Sequence, residues 1–114
     1  MHPDVDTVIV FSEHAEDLAA FYRNAFDLPR PQRSPAHVGF ALPSLYLGFD
    51  SVDDAPSPGP VSLWWRVDNV DSAFDRLVAL GCPVVYAPVD KPWGDRVAAV
   101  LDPDGNRIGL SQRS

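Results

Sequence analysis

The sequence offers few side chains at which acid–base chemistry could occur. His37 opens a short apolar segment and is the only imidazole near the predicted sheet, while Tyr46 brings a phenol to the next segment. Such groups exchange protons with a reacting group that lies within hydrogen-bond reach. His37 and Tyr46 are therefore the candidate catalytic residues, and the alternative is that His37 is an ordinary strand residue.

Aromatic side chains suggest a different chemistry, the binding of a planar ligand. In the segment 61–67 side chains alternate between two faces, so Ser62, Trp64 and Arg66 share one of them. An indole on a pocket wall offers a large apolar area and stacking. Trp64 is the leading ligand contact, unless it only fills space. Trp93, within PWGDR, would either close over a ligand or pin its own loop.

Composition excludes several classes of protein. The chain of 114 residues carries a formal charge of −7, and its basic residues form no stripe that could follow a phosphate backbone. No apolar run approaches the length of a membrane span, and the N-terminus lacks a signal pattern. The single cysteine, Cys82, indicates a small buried residue. We expect a cytoplasmic protein without nucleic-acid or membrane partners.

Hydrophobic periodicity predicts strands and helices in a recurring order. One helix runs from Ala15 until Pro29 forbids its continuation, and a second follows Asn69 as its N-cap and stops at Gly81. The segment 29–35 is a Pro-rich connection, and 50–60 (DSVDDAPSPGP) is an acidic linker. The predicted strands are 7–11, 37–41, 45–49, 61–67, 82–86, 96–101 and 107–111.

The strand and helix order recurs, and we assign it as βαβββ twice, although only two strands after the first helix show a pattern. A shift of 55 places Ile9 on Trp64, and a shift of 63 places Tyr46 on Gly109, with an insertion at about 89–96. Each unit has a sheet face that it cannot bury alone, so we expect paired units around a concave face. The sequence thus predicts an α+β fold in one domain, 1–114, with module one at about 5–50, a linker at 51–60 and module two at about 61–112.

Four segments resemble the vicinal-oxygen-chelate superfamily, the glyoxalase/bleomycin-resistance/dioxygenase type. They are FYRNAF (21–26), VDNVDSAFDRLVALG (67–81), PWGDR (92–96) and DPDGNRIGL (102–110), and the likeness covers nearly the whole chain. The resemblance implies two βαβββ modules that form a curled mixed sheet with helices outside. It also implies a homodimer around a small-molecule site.

The resemblance implies a metal site whose ligands this chain lacks. Metal-dependent members hold Mn, Fe, Ni or Zn with His, Gln and Glu, and the matching positions here carry Thr7, Tyr46, Ser62 and Gly109. A hydroxyl, a neutral phenol and a glycine supply neither an imidazole nor a carboxylate. We therefore expect no metal and no other cofactor.

The resulting hypothesis is a metal-free protein that binds and sequesters an aromatic or antibiotic-like molecule in an aromatic-lined cleft. The alternative is an enzyme, a glyoxalase-like lyase or isomerase or a dioxygenase, for which the fold is the main argument. A weaker alternative is a regulatory subunit. The predicted ligand-binding residues are Thr7, Ile9, Phe11, Tyr46, Ser62, Trp64, Arg66, Trp93, Arg107 and Gly109.

Overall fold

The computed structural model describes residues 3–113, which divide into two compact units at Pro56 and Ser57. Each unit carries one helix and one four-stranded sheet. Unit 1 contains β1 (Thr7–Ser12), α1 (Ala15–Phe26), β2 (Gln32–Ser34), β3 (His37–Ala41) and β4 (Tyr46–Ser51). Unit 2 contains β5 (Leu63–Arg66), α2 (Val70–Ala79), β6 (Val84–Asp90), β7 (Asp95–Leu101) and β8 (Arg107–Arg113). Within residues 3–113 no helix has the length and apolarity needed to cross a membrane.

In unit 1, α1 covers one face of a sheet with the strand order β1-β4-β3-β2. The helix buries Leu18 and Tyr22, and the Tyr22 ring stacks on Phe49 of β4 with centroids 5.4 Å apart. Leu47 and Phe49 are both buried, and they alternate with Tyr46, Gly48 and Asp50. Because successive strand residues point to opposite faces, those three residues lie on the face turned away from α1.

Unit 2 repeats this arrangement with the strand order β5-β8-β7-β6. The predicted N-cap of α2 is confirmed, since the Asn69 side chain accepts a hydrogen bond from the Ser72 amide at 2.9 Å. The Oε1 atom of Gln112 in β8 accepts a hydrogen bond from the Val70 amide at 2.7 Å, which connects the start of α2 to the sheet. Ile108 and Leu110, on the same face as Gln112, are fully buried. Gly109 therefore faces away from α2.

The predicted α+β class and the double βαβββ order are confirmed, but several boundaries were wrong. The Pro-rich connection contains β2, which has no apolar residue to reveal it and pairs with β3 through its backbone. The strand predicted to end at Phe49 continues through Ser51, so Asp50 and Ser51 belong to β4 and not to the linker. The strand predicted at 82–86 is β6, which begins at Val84.

The strand registers also correct the predicted repeat. Ile9 pairs with Gly48 in unit 1, and Trp64 pairs with Gly109 in unit 2. Since the shift of 55 residues superposes Ile9 on Trp64, their partners Gly48 and Gly109 are equivalent. The closing strands β4 and β8 are therefore related by a shift of 61 residues. The predicted match of Tyr46 with Gly109 was wrong by two residues, and the inserted length is correspondingly shorter.

Candidate functional site

We call the sheet surface turned away from the helix the open face of each unit. In unit 1 it is built by strand pairs whose registers set side chains side by side: Thr7 with Tyr46, Ile9 with Gly48, and Phe11 with Asp50. β3 adds the neighbours of β4 on the same face: Ala41 beside Tyr46, Gly39 beside Gly48, and His37 beside Asp50. Three of the predicted ligand-binding residues of β1 thus share one surface with both candidate catalytic residues.

On this open face Asp50, His37 and Tyr46 form a hydrogen-bonded chain, which we call the relay. The Nδ1 atom of His37 lies 2.5 Å from Oδ1 of Asp50, and its Nε2 lies 2.6 Å from the Tyr46 hydroxyl. The His37 and Tyr46 ring planes differ by 11°. The side chains of His37 and Asp50 are 23% and 34% exposed, so the relay is shielded from bulk water but reachable.

Two glycines make room for the relay. A Cβ atom at Gly39 would overlap the Tyr46 hydroxyl, and one at Gly48 would come within 2.8 Å of Cε1 of His37 and 2.6 Å of Cδ1 of Ile9. Separations below about 3 Å between carbon atoms are strongly repulsive. The sequence therefore lets the imidazole and the phenol lie across the sheet because the residues beneath them have no side chain.

The open face of unit 2 carries an aromatic platform instead. The indole of Trp64 occupies the space that a Cβ at Gly109 would need, and Trp64 is 50% exposed. The registers place Arg66 beside Ser111 and Arg107 beside Leu101, so both arginines share this face with Trp64. Leu63 and Trp65, on the other face of β5, are half-buried. The predicted alternation along β5 is thereby confirmed.

Ser62 and Trp93 lie outside this platform's strands. Ser62 directly precedes β5, and Trp93 lies in the turn between β6 and β7. Trp93 is 69% exposed, its Nε1 donates to Asp95 at 3.2 Å, and Lys91 Nζ lies 5.9 Å from its ring centroid. The turn therefore presents an exposed indole, and its part in ligand binding stays a prediction.

The turn of the DPDGN motif is held by a buried carboxylate. Asp102 is 3% exposed and accepts hydrogen bonds from the Asp104 and Asn106 amides at 2.9 and 2.8 Å. Gly105 adopts φ 84°, in the left-handed region that favours glycine. Nearby, burial raises the pKa of the Cys82 thiol, and the charge of Asp102 adds to the effect. This motif serves the backbone and not the chemistry of a site.

A cavity of 330 Å³ lies on the helix side of unit 1, away from the relay. Its lining includes the side chains of Arg23, Asn24 and Asp27 from α1 and its C-terminal end, and Arg33 from β2. Arg33 is already paired with Glu16 at 2.8 Å. None of the predicted ligand-binding residues lines this cavity.

The positions that the superfamily uses for metal do not fit a metal ion in this chain. Within residues 3–113 no group of three or more His, Cys, Asp or Glu side chains gathers in a metal-binding arrangement. By the corrected register the unit 1 counterpart of Gly109 is Gly48 and not Tyr46, so neither closing strand offers a side-chain donor there, and the space above Gly109 is filled by Trp64. The donor set lacks the imidazoles and carboxylates that first-row divalent metals require.

Sequence reasoning found His37 and Tyr46 by their chemical type and missed the residue that joins them. Asp50 was assigned to the acidic linker because it is followed by further acidic and proline residues. The signal was the alternation Tyr46, Gly48, Asp50, which continues the period of the strand by one more step. Gly39 and Gly48 were also missed as residues that make space.

The chain matches a known protein family over nearly its whole length. The family model described as Glyoxalase/Bleomycin resistance protein/Dioxygenase superfamily matches residues 4–110. The chain is 31% identical over 109 residues to uncharacterized proteins of Mycobacterium bovis and Mycobacterium tuberculosis. The match spans 81% of this chain in both cases, and 72% and 64% of the two relatives. The chain belongs to the glyoxalase/bleomycin resistance protein/dioxygenase superfamily.

Solved structures agree in fold. A glyoxalase/bleomycin resistance protein/dioxygenase family enzyme from Burkholderia phytofirmans PsJN superposes with a TM-score of 0.87 at 22% identity, covering 98% of this chain and 100% of that one. A lactoylglutathione lyase from Agrobacterium tumefaciens gives 0.77 at 22% identity, covering 98% and 95%. At this identity the likeness establishes the fold alone, so the function has to be argued from the open faces.

Proposed function

We propose that this chain is a small-molecule-binding protein that works without a metal and takes up a planar aromatic ligand on Trp64. The observation that carries the proposal is the half-exposed indole of Trp64 lying over Gly109. An exposed aromatic plane backed by the sheet is a ready stacking surface, worth about 1 kcal/mol beyond the apolar area that it buries. Sequestration of an antibiotic-like molecule would use this surface.

Charge narrows the ligand class. Arg66 and Arg107 lie on the same face as Trp64, and guanidinium groups bind carbonyl or anionic groups of a ligand. The whole chain nevertheless carries a formal charge of −7, which steers cationic molecules towards it. A planar molecule with a carbonyl group and a net positive charge, as in aromatic peptide-like antibiotics of the bleomycin kind, fits both features.

Fluorescence titration with bleomycin tests the proposal. Saturable quenching is expected at micromolar to tens-of-micromolar ligand, and Trp64→Leu should weaken binding about tenfold because the stacking plane is lost. Val78→Ala is the control, since Val78 is an exposed apolar residue of α2, on the other side of the sheet from Trp64. Equal affinity of wild type and Trp64→Leu, or no binding, would end the platform proposal.

A second candidate function, an enzyme, is favoured by the relay of Asp50, His37 and Tyr46. The name of the Agrobacterium neighbour suggests a first assay, formation of lactoylglutathione. If the relay supplies the acid and base, His37→Gln and Tyr46→Phe should each lower turnover about a hundredfold. Turnover unaffected by both changes would exclude these roles.

We further propose a homodimer in the cytoplasm, by analogy with the superfamily. Light scattering on the purified chain measures its mass directly against the 12.5 kDa of one copy. A mass of one copy at micromolar concentration would refute the dimer.

A further inference from the structure

The position of the proton on His37 follows from its carboxylate partner. An ionised carboxylate only accepts hydrogen bonds, so the nitrogen that faces Asp50 at 2.5 Å, Nδ1, must carry a proton. A neutral imidazole has one N–H, and Nε2 is then an acceptor. The partner of Nε2 is the Tyr46 hydroxyl at 2.6 Å, which donates its proton to His37 when the imidazole is neutral.

The direction of these hydrogen bonds, from Tyr46 to His37 to Asp50, determines which groups of the relay can bind a ligand. The Tyr46 proton points along the sheet to His37, so the lone pairs of the Tyr46 oxygen are what remains for another molecule. A group bound there has to be a hydrogen-bond donor. The open space over Gly39 and Gly48 is filled by these two rings, which leaves the hydroxyl oxygen as the polar end of the relay.

We propose that the Tyr46 oxygen on the open face of unit 1 is a base-assisted binding site for neutral hydroxyl-bearing aromatic molecules, the phenol and enol class. The ligand O–H donates to Tyr46. On proton transfer the ligand O–H bond breaks, Tyr46 takes that proton as its own passes to Nε2 of His37, and the imidazolium is balanced by the Asp50 carboxylate. Release of the ligand reverses each step, so no further reactant is needed.

The surroundings of the relay select a neutral and partly apolar ligand. Asp50 is a carboxylate within the site, and the chain is acidic as a whole, so an anion is disfavoured. Ile9 and Phe11 lie on the same face, and Phe11 is 57% exposed in the register position beside Asp50. An aromatic ring placed against Phe11 gains apolar contact while its hydroxyl reaches the relay.

A purely structural role would look different. The relay joins neighbouring strands, and a clamp between β3 and β4 would stabilise unit 1 whether or not a ligand carries a hydroxyl. The distinguishing property is chemical: the relay prefers a molecule with an O–H over the same molecule with that hydrogen replaced by methyl. The site rests on the proposed small-molecule binding, but none of its atoms belongs to the Trp64 platform.

Phenol and anisole are the probe pair, and NMR shifts of the Gly39 and Gly48 amides are the readout. Wild-type protein should bind phenol about fivefold more tightly than anisole, because only phenol donates to Tyr46. Tyr46→Phe should bind both equally, since it removes the acceptor and keeps the ring. Asp50→Asn should reduce the preference, because an amide enforces the His37 tautomer less strongly.

The nitrogen shifts of His37 provide an independent check, with the proton expected on Nδ1 in wild type. Equal affinity for phenol and anisole, no shift with phenol, a preference retained in Tyr46→Phe, or a proton on Nε2 would each overturn the proposal. The bleomycin titration reads the tryptophans, all three of which lie in unit 2, and the phenol titration reads glycines of unit 1. Failure of one proposal is therefore distinguishable from failure of the other.

Discussion

The two units share a topology and differ on their open faces. Gly48 of unit 1 and Gly109 of unit 2 are equivalent by strand register, and each is covered by a side chain from the neighbouring parallel strand. That side chain is Ile9 in unit 1 and the indole of Trp64 in unit 2. The helix-facing neighbours remain apolar in both units, with Leu47 and Phe49 in one and Ile108 and Leu110 in the other.

Within residues 57–113 of unit 2 the relay has no counterpart. By the same register, the positions of Tyr46, His37 and Asp50 correspond to Arg107, Val97 and Ser111, which cannot form a carboxylate–imidazole–phenol chain. Apolar packing on the helix side is common to both units, whereas the open faces carry different side chains. One backbone frame thus carries a carboxylate–imidazole–phenol chain in one unit and an exposed indole in the other.

The largest effect on stability is expected at the DPDGN turn of unit 2, which Asp102 holds. Asp102→Ala removes an acceptor of several hydrogen bonds inside the protein and should lower the free energy of unfolding by about 3 kcal/mol. Ser44→Ala, in the exposed β3–β4 turn of unit 1, is the matched control and should cost under about 0.5 kcal/mol. Urea unfolding measures the free energy of unfolding of both variants. Equal losses in the two variants would show that the DPDGN turn of unit 2 stabilises the protein no more than the β3–β4 turn of unit 1.

The equivalent glycines provide the next test. Gly48→Ala forces a methyl against Ile9 and against His37, which is held by two partners, and should cost about 2 kcal/mol. Gly109→Ala should cost about 1 kcal/mol, since half-exposed Trp64 has room to swing outwards. Thermal unfolding gives the costs, and Trp fluorescence should change in the second variant. Gly59→Ala is the control that should be tolerated, because a Cβ atom there would lie 3.5 Å from its nearest neighbour, Oδ1 of Asn106.

Cys82 reports on unit 2 alone, because it is the chain's only cysteine. Burial raises its thiol pKa, so the folded protein resists ionisation and the reactive thiolate is scarce. Labelling with Ellman's reagent near pH 8 should be about tenfold slower than in denaturant, and Asp102→Ala should speed it. A rate that matches the denatured chain would show that unit 2 does not shield this thiol.

The smallest effect concerns the ion pairs at the edge of unit 2. Arg96 donates to Asp71 through Nε at 2.8 Å and Nη2 at 3.0 Å, and to Asp90 through Nη1 at 3.0 Å. The contact with the Arg96 guanidinium lowers the pKa of Asp71. Because the pKa of Asp71 is lower in the folded protein, the ion pair contributes stability above about pH 3.8, the ordinary pKa of the carboxyl. This stability is lost as the pH falls through the lowered pKa of the folded protein. Arg96→Met should therefore lose slightly more stability at pH 6 than at pH 3. A pH-independent cost would remove this contribution.

The elements were predictable where side chains mark them. Asn69 marked the start of α2, and the apolar period of α1 marked its buried face. The β-branched run of β1 marked a strand, but its residues 7–11 are exposed or half-buried. β2 was not predictable because Gln32, Arg33 and Ser34 carry no pattern and pair through their backbones. Asp50 was obscured by the acidic residues after it, and the contact between His37 and Tyr46 depends on space left by glycines, which no local pattern records.

The pairing of Gly109 with Trp64 limits which residues position 109 can accept. The superfamily resemblance would put a glutamate at position 109, but any side chain there meets the indole already occupying that volume. Positions 64 and 109 are therefore coupled. A glutamate at 109 requires the indole of Trp64 to move outwards or Trp64 to be replaced, and either change alters the aromatic platform.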